Sequence, residues 1–397
     1  MDVNTKLPLL GGMSPADFMK RHWQKKPLLV RQAWPGVVPP LTRPALFALA
    51  ASDAVESRLV LREGQHWRVR QGPLPRRALP ALNQRGWTLL LQGLDLHLQA
   101  AHAMLQRFRF VPDARLDDLM LSWASDEGGV GPHLDSYDVF LLQVQGRRRW
   151  RVGRAKNSEW VVDAPHEQML LGHFAHPPRG AAAAPPGGTL KLLRNFKAEH
   201  EWLLEPRDML YLPPLWGHDG VAVGGDCMTC SIGFRAPAAD ELALDLLQRL
   251  GDEDLQRSAL YRDRAQPATA TPAALPPTLL AFAQAAVDKR LAEPRWLARA
   301  LGESLTEPKP QVWFEGPGRA RGGGAVWLSA RTRMLYDEHH IFINGDAFDA
   351  TGTDARMIRR LADERVLGGG DIARLSAPAR ALLDQWIAAG WAGGAPS

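Results

Sequence analysis

GGVGPHLDSYDVFLLQVQGRRRWRVG, residues 128–153, decides how the rest of the chain is read. A glycine-rich loop comes first, then His133-Leu134-Asp135, then an apolar run, then alternating basic and apolar residues. The spacing predicts a strand over 133–143 and another over 148–152, with Gln145-Gly146 as the turn that folds the chain back. Side chains two apart on a strand point the same way, so His133 and Asp135 present an imidazole and a carboxylate to one side. Tyr137 shares that face, and either looks into the same site or is an ordinary core aromatic. In the second strand, alternation sets Arg148 with Trp150 and Val152 on the inner face and Arg147, Arg149 and Arg151 on the outer one. A buried guanidinium needs an anion, either an internal Asp or Glu or a ligand carboxylate such as the distal one of 2-oxoglutarate. The outer arginines read as a solvated face or as weak phosphate contacts.

A second segment, 208–220 (DMLYLPPLWGHDG), brings His218 to the end of another strand after a Pro-Pro turn. Two imidazoles and one carboxylate on one face of a metal leave the opposite positions open. That is the arrangement of non-haem Fe(II) oxygenases, where a substrate acid and O2 take the open positions. A solitary His-x-Asp is common by chance, and a solitary His is usually structural. Here the pair follows a glycine loop and precedes a strand, and a turn delivers the third member. The strand expected over 117–123 obeys the same alternation, with Asp118, Met120 and Ser122 on one face. Ser122 can donate its hydroxyl to the cosubstrate acid. Asp118 either lines the same cavity nearer its mouth or sits exposed at the strand end.

Beyond these motifs, 397 residues with 45% hydrophobic and 23% charged side chains describe a globular chain of more than one domain. No apolar run approaches the roughly 18 residues of a membrane helix. No secretory signal is expected from the N-terminal pattern, and two cysteines exclude a disulfide framework and suit a reducing cytoplasm. The charge balance of 48 − 43 = +5 reads as a solvated Arg-rich surface. A helix is expected to start at Ser14-Pro15, and a hairpin to join 57–62 with 66–70. Further strands are expected at 209–212 and 228–234, which leaves 177–188 (PPRGAAAAPPGG) as an inserted loop.

After Phe234, helices are expected with Ala243, Leu246, Leu247 and Leu250 on one face and Leu280, Ala283, Val287 and Leu291 on another. That region is too small for a core of its own, which predicts a C2 dimer. A type I′ turn at Asn344-Gly345 and helices over 353–365 and 377–389 complete the chain. Cys227 and Cys230 lie three apart in a strand, so they face opposite sides and read as core residues. His173, His176, His339 and His340 read as surface histidines.

Over 108–153 and 208–237 the chain resembles the JmjC-type bacterial ribosomal oxygenases, in particular those that hydroxylate an arginine of protein sixteen of the large ribosomal subunit. GPHLDSYDVF, GRRRWRVG and SIGFRAP carry the likeness. The resemblance implies a mainly β fold with α additions: a double-stranded β-helix (JmjC/cupin) oxygenase domain over 1–237, a helical dimerisation domain over 238–305 and a winged-helix-like domain over 306–397. By motif it implies Fe(II) on His133, Asp135 and His218, 2-oxoglutarate on Ser122 and Arg148, and O2 as the second cosubstrate. It sets a substrate arginine against Asp118 and Tyr137, with Met120 on the same face. The implied partners are a large-subunit ribosomal protein and a second copy of the chain in the cytoplasm, with no membrane. The winged-helix-like unit carries mixed charge, including Asp363 and Glu364, so no direct nucleic-acid reading is expected of it. The chain departs from close relatives at Asp219, where they often have Glu, and at the insertion near Ala181. Two alternatives stand beside this reading: a histidine hydroxylase with the same iron motif, and a non-catalytic cupin/winged-helix binding protein, which the intact triad disfavours.

Overall fold

The computed structural model describes residues 2–64, 66–154, 159–162, 191–194, 196–252, 260–262, 264, 273–292, 295–316 and 324–395. It divides into two compact units, Met1–Ala236 and Pro237–Ser397. Among the described residues no helix is long and apolar enough to cross a membrane.

In the first unit, Ser14 starts α1 (Pro15–Arg21) as expected, its Oγ accepting the Asp17 N–H at 3.1 Å. There follow β1 (Leu28–Val30), α2 (Arg43–Leu49), β2 (Ser57–Glu63), β3 (His66–Gln71), β4 (Trp87–Leu91), α3 (Gln99–Gln106), β5 (Leu116–Ala124) and β6 (Val139–Arg154). The unit closes with β7 (Glu159–Val162), β8 (Lys191–Arg194), β9 (His200–Leu204), β10 (Met209–Leu212) and β11 (Trp216–Phe234). The main sheet runs β1-β10-β6-β11-β5-β4-β2-β3, with β9 added on β6.

Two long strands give this sheet its shape. β11 pairs antiparallel with β6 from Trp216↔Arg154 to Gly233↔Val139, and the register slips between Val223 and Met228. Gly146, Gly224, Gly225 and Asp226 all take positive φ there, and a Cβ on Gly146 would lie 2.9 Å from the Asp226 carbonyl oxygen. The expected turn at Gln145-Gly146 is therefore a bend inside one continuous strand. The sheet folds over on itself at this bend. Val139, Leu141, Leu210 and Leu212 from one half meet Trp150, Val152 and Leu204 from the other in a single buried cluster. This is the double-stranded β-helix the motifs imply. The outer face of the first half packs on the helices: Leu119, Leu121 and Trp123 of β5 join Phe18, Phe47, Met104 and Leu105 in the largest core. The other face of β5, with Asp118, Met120 and Ser122, is left to line the interior.

The strand expected over 133–143 begins only at Val139. Residues 128–133 pair instead with the free edge of β11. The His133 and His218 N–H groups each donate to the other's carbonyl at 2.9 Å, and the Ala222 N–H donates to Gly128 at 2.8 Å.

The second unit holds α4 (Ala239–Asp252), α5 (Pro277–Leu291), α6 (Trp296–Thr306), β12 (Val326–Leu328), β13 (Met334–Tyr336), β14 (His340–Ile343), β15 (Asp346–Asp349), α7 (Gly352–Glu364), β16 (Val366–Leu367), α8 (Gly369–Ile372), α9 (Ala377–Ala388) and β17 (Ala392–Gly393). Asn344 and Gly345, at φ of 50° and 93°, make the expected turn between β14 and β15. The sheets β16-β12-β17 and β13-β14-β15 share one core with α7 and α9.

Two expectations need correction here. Leu246 does not belong to an outward apolar face with Leu247: it is buried against Trp296 and Ala300, whereas Leu247 is 54% exposed. The helix turns Leu242 and Leu246 inward, so Ala243 and Leu247 fall on the solvent side. His340 is buried rather than superficial, with Nδ1 3.0 Å from an Asp337 carboxylate oxygen. The Leu250 side chain, the segment 177–188 with Ala181, and His173 and His176 lie outside the described residues.

Candidate active site

His133 and Asp135 converge because of the bridge to β11, not through strand alternation. With His133 paired to His218, and the Leu215 N–H donating to the Asp135 carbonyl at 2.8 Å, the loop lays both side chains beside the His218 ring. His133 Nδ1 lies 2.8 Å from the Gly131 carbonyl and His218 Nδ1 lies 2.9 Å from the Trp216 carbonyl. A carbonyl only accepts, so each Nδ1 carries a proton, and in the neutral imidazole that tautomer leaves the lone pair on Nε2. His133 Nε2 is 4.0 Å from Asp135 Oδ1, and His218 Nε2 is 3.4 Å from Asp135 Oδ2. The three ligand atoms lie within 4.8 Å of one another, and among the described residues no other such His/Cys/Asp/Glu group occurs. Metal–ligand bonds of about 2.0–2.2 Å put neighbouring donors roughly 3–4 Å apart, so the set suits a divalent first-row ion.

Burial, helped by the neighbouring His133, pushes the His218 imidazole down to about 4. It therefore stays neutral near pH 7 and fit to bind a metal. The Trp150 ring lies against His218, with centroids 5.8 Å apart, and only a glycine at 220 admits it: a Cβ there would come within 2.6 Å of the indole.

Arg148 behaves as the alternation demanded. It is 4% exposed beside Trp150, while Arg149 and Arg151 point outward and pair with Glu201 and Asp219 at 3.4 Å and 2.5 Å. No acid pairs with Arg148 among the described residues, and its Nε and Nη2 are buried without a hydrogen-bond partner. A desolvated guanidinium in that condition is costly, so the barrel interior fits an anionic ligand, and no internal acid takes that place among the described residues. Ser122 is buried in the same interior, its hydroxyl donating over a long 3.3 Å to the Thr229 carbonyl.

Asp118 is 1% exposed, so it is neither an exposed strand end nor a rim residue. Its Oδ2 accepts the Gly93 N–H at 2.9 Å and the Gln92 amide, and the Gln92 Oε1 in turn accepts from Arg58 at 3.1 Å. Tyr137 is buried, and burial, with the Asp135 and Asp118 carboxylates nearby, raises its phenol well above the usual value. It is both core aromatic and neighbour of the two acids. Met120 is half-buried against Val60, Val69 and Leu90. Sequence reasoning missed Gln92, Gly93 and Arg58. The signal for them was the polar Gln-Gly pair directly after the apolar strand at 87–91. Cys227 and Cys230 lie in separate buried clusters, as their spacing predicts.

A bent double-stranded β-helix that gathers two imidazoles and one carboxylate, with a buried arginine that no acid pairs among the described residues, has the form of a JmjC-type oxygenase. The JmjC domain family matches residues 103–242, and the ROXA-like winged helix matches 289–393. The ribosomal protein uL16 3-hydroxylase of Escherichia coli (strain K12) is 33% identical over 299 residues, 75% of this chain and 72% of that protein. The X-ray structure of E. coli YcfD superposes with a TM-score of 0.76 at 27% identity, covering 95% of this chain and 97% of that one. A structure of YcfD, described as a ribosomal oxygenase in complex with cobalt and 2-oxoglutarate, gives 0.74 at the same identity and coverage. The chain belongs to the JmjC ribosomal oxygenase family.

Proposed function

We propose that this chain is an Fe(II)- and 2-oxoglutarate-dependent hydroxylase that oxidises an arginine side chain of the ribosomal protein uL16. The observation that carries the reading is Arg148, a buried guanidinium with two unpartnered nitrogens inside the barrel that holds His133, Asp135 and His218. In this reading those three residues hold iron. Arg148 and Ser122 hold the distal carboxylate of 2-oxoglutarate, and Asp118, Tyr137 and Met120 receive the substrate side chain. When bound, iron, 2-oxoglutarate and O2 supply the oxidation, which yields succinate, CO2 and a hydroxylated carbon. The residues of the chain do the rest. The Gly131 and Trp216 carbonyls fix both imidazole tautomers so that the lone pairs face inward. The buried wall keeps water from competing for the guanidinium, and Asp118 aligns a cationic side chain so that one carbon is presented.

Recombinant protein with Fe(II), 2-oxoglutarate and a uL16 peptide is expected to release succinate and add one oxygen atom to an arginine, located by tandem mass spectrometry. Oxygen on a histidine would move the assignment to the histidine hydroxylases. No succinate at all would leave a binding protein.

The second unit supports a homodimer in the same proposal, with 238–305 as the helical domain that mediates it. α5 exposes Leu280, Val287 and Leu291, at 61%, 48% and 48%, and α4 exposes Leu244 and Leu247 at 54% each. Such apolar helices need cover in water. Light scattering at micromolar concentration is expected to give twice the chain mass, and a monomer would refute the dimer.

A further inference from the structure

We propose that Gly233 is a specificity-determining residue: its bare Cα forms the floor of a slot between Asp118 and Tyr137 that seats the substrate guanidinium. The inference rests on the arginine reading above and gives that site its shape.

Gly233 belongs to the SIGFRAP motif and stands near the end of β11, opposite Asp118 of β5 and Val139 of β6. A Cβ built there would lie 3.5 Å from Asp118 Oδ1 and 4.0 Å from Tyr137 Cε2, with no other heavy atom outside the adjoining residues within 4 Å. The space above the glycine is thus bounded by a carboxylate oxygen on one side and the edge of a phenol ring on the other. Both neighbours are fixed. Asp118 Oδ2 accepts from Gly93 and Gln92, which holds the carboxylate in place, and Tyr137 packs in the cluster that holds the two halves of the sheet together.

Neither the backbone angle nor a crowded main chain requires glycine at this position, which stands where the pairing of β11 with β5 shifts register between Gly233 and Phe234. Its φ lies outside the left-handed region, and no backbone approaches as the Gly220 carbonyl approaches Gly129, 2.6 Å from the added Cβ. A glycine inside a strand weakens it, and one that φ does not demand marks a bulge or a place where something else comes close; the Cβ position against Asp118 and Tyr137 argues for the second here. A flat cation suits the slot. Its N–H edge meets Oδ1 in a charge-assisted bond while its plane lies along the ring. An imidazole offers a single N–H in its neutral form, and an ammonium lacks the flat shape.

The test is binding of a uL16 arginine peptide to protein loaded with Mn(II) and 2-oxoglutarate, followed by calorimetry, with 2-oxoglutarate affinity measured separately. Gly233→Ala should bind the peptide about tenfold more weakly or worse, the loss of one well-seated charged hydrogen bond, and bind 2-oxoglutarate as the unaltered protein does. From the ligand side, a peptide with ω-N-methylarginine should lose as much on the unaltered protein, because its methyl competes for the same space. This second measurement decides the matter if the variant does not fold. Full peptide affinity in a folded Gly233→Ala, or in the methylated peptide, overturns the proposal, as does an equal loss of 2-oxoglutarate affinity. If the unaltered protein hydroxylates no arginine, the proposed function fails first and this inference with it. If it does and the variant binds normally, only the role of Gly233 is lost.

Discussion

Asp135→Ala is expected to abolish 2-oxoglutarate turnover in a protein that still folds. Asp135 is the one anionic member of the set, with its two oxygens turned to the two imidazole Nε2 atoms at 4.0 Å and 3.4 Å. Removing it leaves two neutral nitrogen donors for a divalent ion, a poor site for Fe(II), which favours a carboxylate in its coordination. Losing even a supporting hydrogen-bond partner of a ligand costs about 10–100-fold in affinity or activity, so loss of the ligand itself should exceed that range. The fold should survive, because what places this loop is main-chain bonding: the His133–His218 bridge and the bond from the Leu215 N–H to the Asp135 carbonyl both remain in alanine. The readouts are succinate release and Fe(II) or Mn(II) titration by calorimetry, with a melting curve as the folding control. Wild-type succinate release by a folded Asp135→Ala would dismiss the metal assignment.

The sequence made the inward side chains legible wherever a strand stayed regular. Arg148, Trp150 and Val152 are buried while Arg147, Arg149 and Arg151 are not, because period-two alternation survives in the second half of β6. The face shared by Asp118, Met120 and Ser122 was legible for the same reason, since β5 has no bulge across those residues. The route to the metal set was not. His133 and Asp135 lie in a loop whose geometry depends on pairing with β11 across more than eighty residues, and local pattern does not report such pairing. Gly146 illustrates the same limit. A glycine at positive φ serves a turn or a bulge equally well, and only the partner strand decides which. The burial of Asp118 was also hidden, because its partners Gln92 and Gly93 come from another strand end.

Replacing Asp118 is expected to cost protein hydroxylation heavily while sparing 2-oxoglutarate binding. The carboxylate is 1% exposed, so a guanidinium brought to it would pair in a desolvated setting. Truncating one partner of such a pair costs about 2–5 kcal/mol, roughly thirty-fold to several-thousand-fold in kcat/KM for the peptide. Alanine carries a second effect, because the Gly93 N–H and the Gln92 amide lose their acceptor. A buried donor left unmade costs about 1–3 kcal/mol, so Asp118→Ala should also melt at lower temperature. Asp118→Asn separates the two: its carbonyl can still accept from Gly93 while its amide no longer attracts a cation. Hydroxylation should therefore fall in both variants, and the melting temperature chiefly in the alanine. Arg148 lies elsewhere in the barrel and keeps its own environment beside Trp150, so 2-oxoglutarate affinity should match the unaltered protein. Hydroxylated peptide and 2-oxoglutarate affinity are measured side by side on each variant. Undiminished arginine hydroxylation by Asp118→Asn would show that the carboxylate does not read the substrate, and the preference for arginine would then have to come from the surface that binds the rest of the peptide.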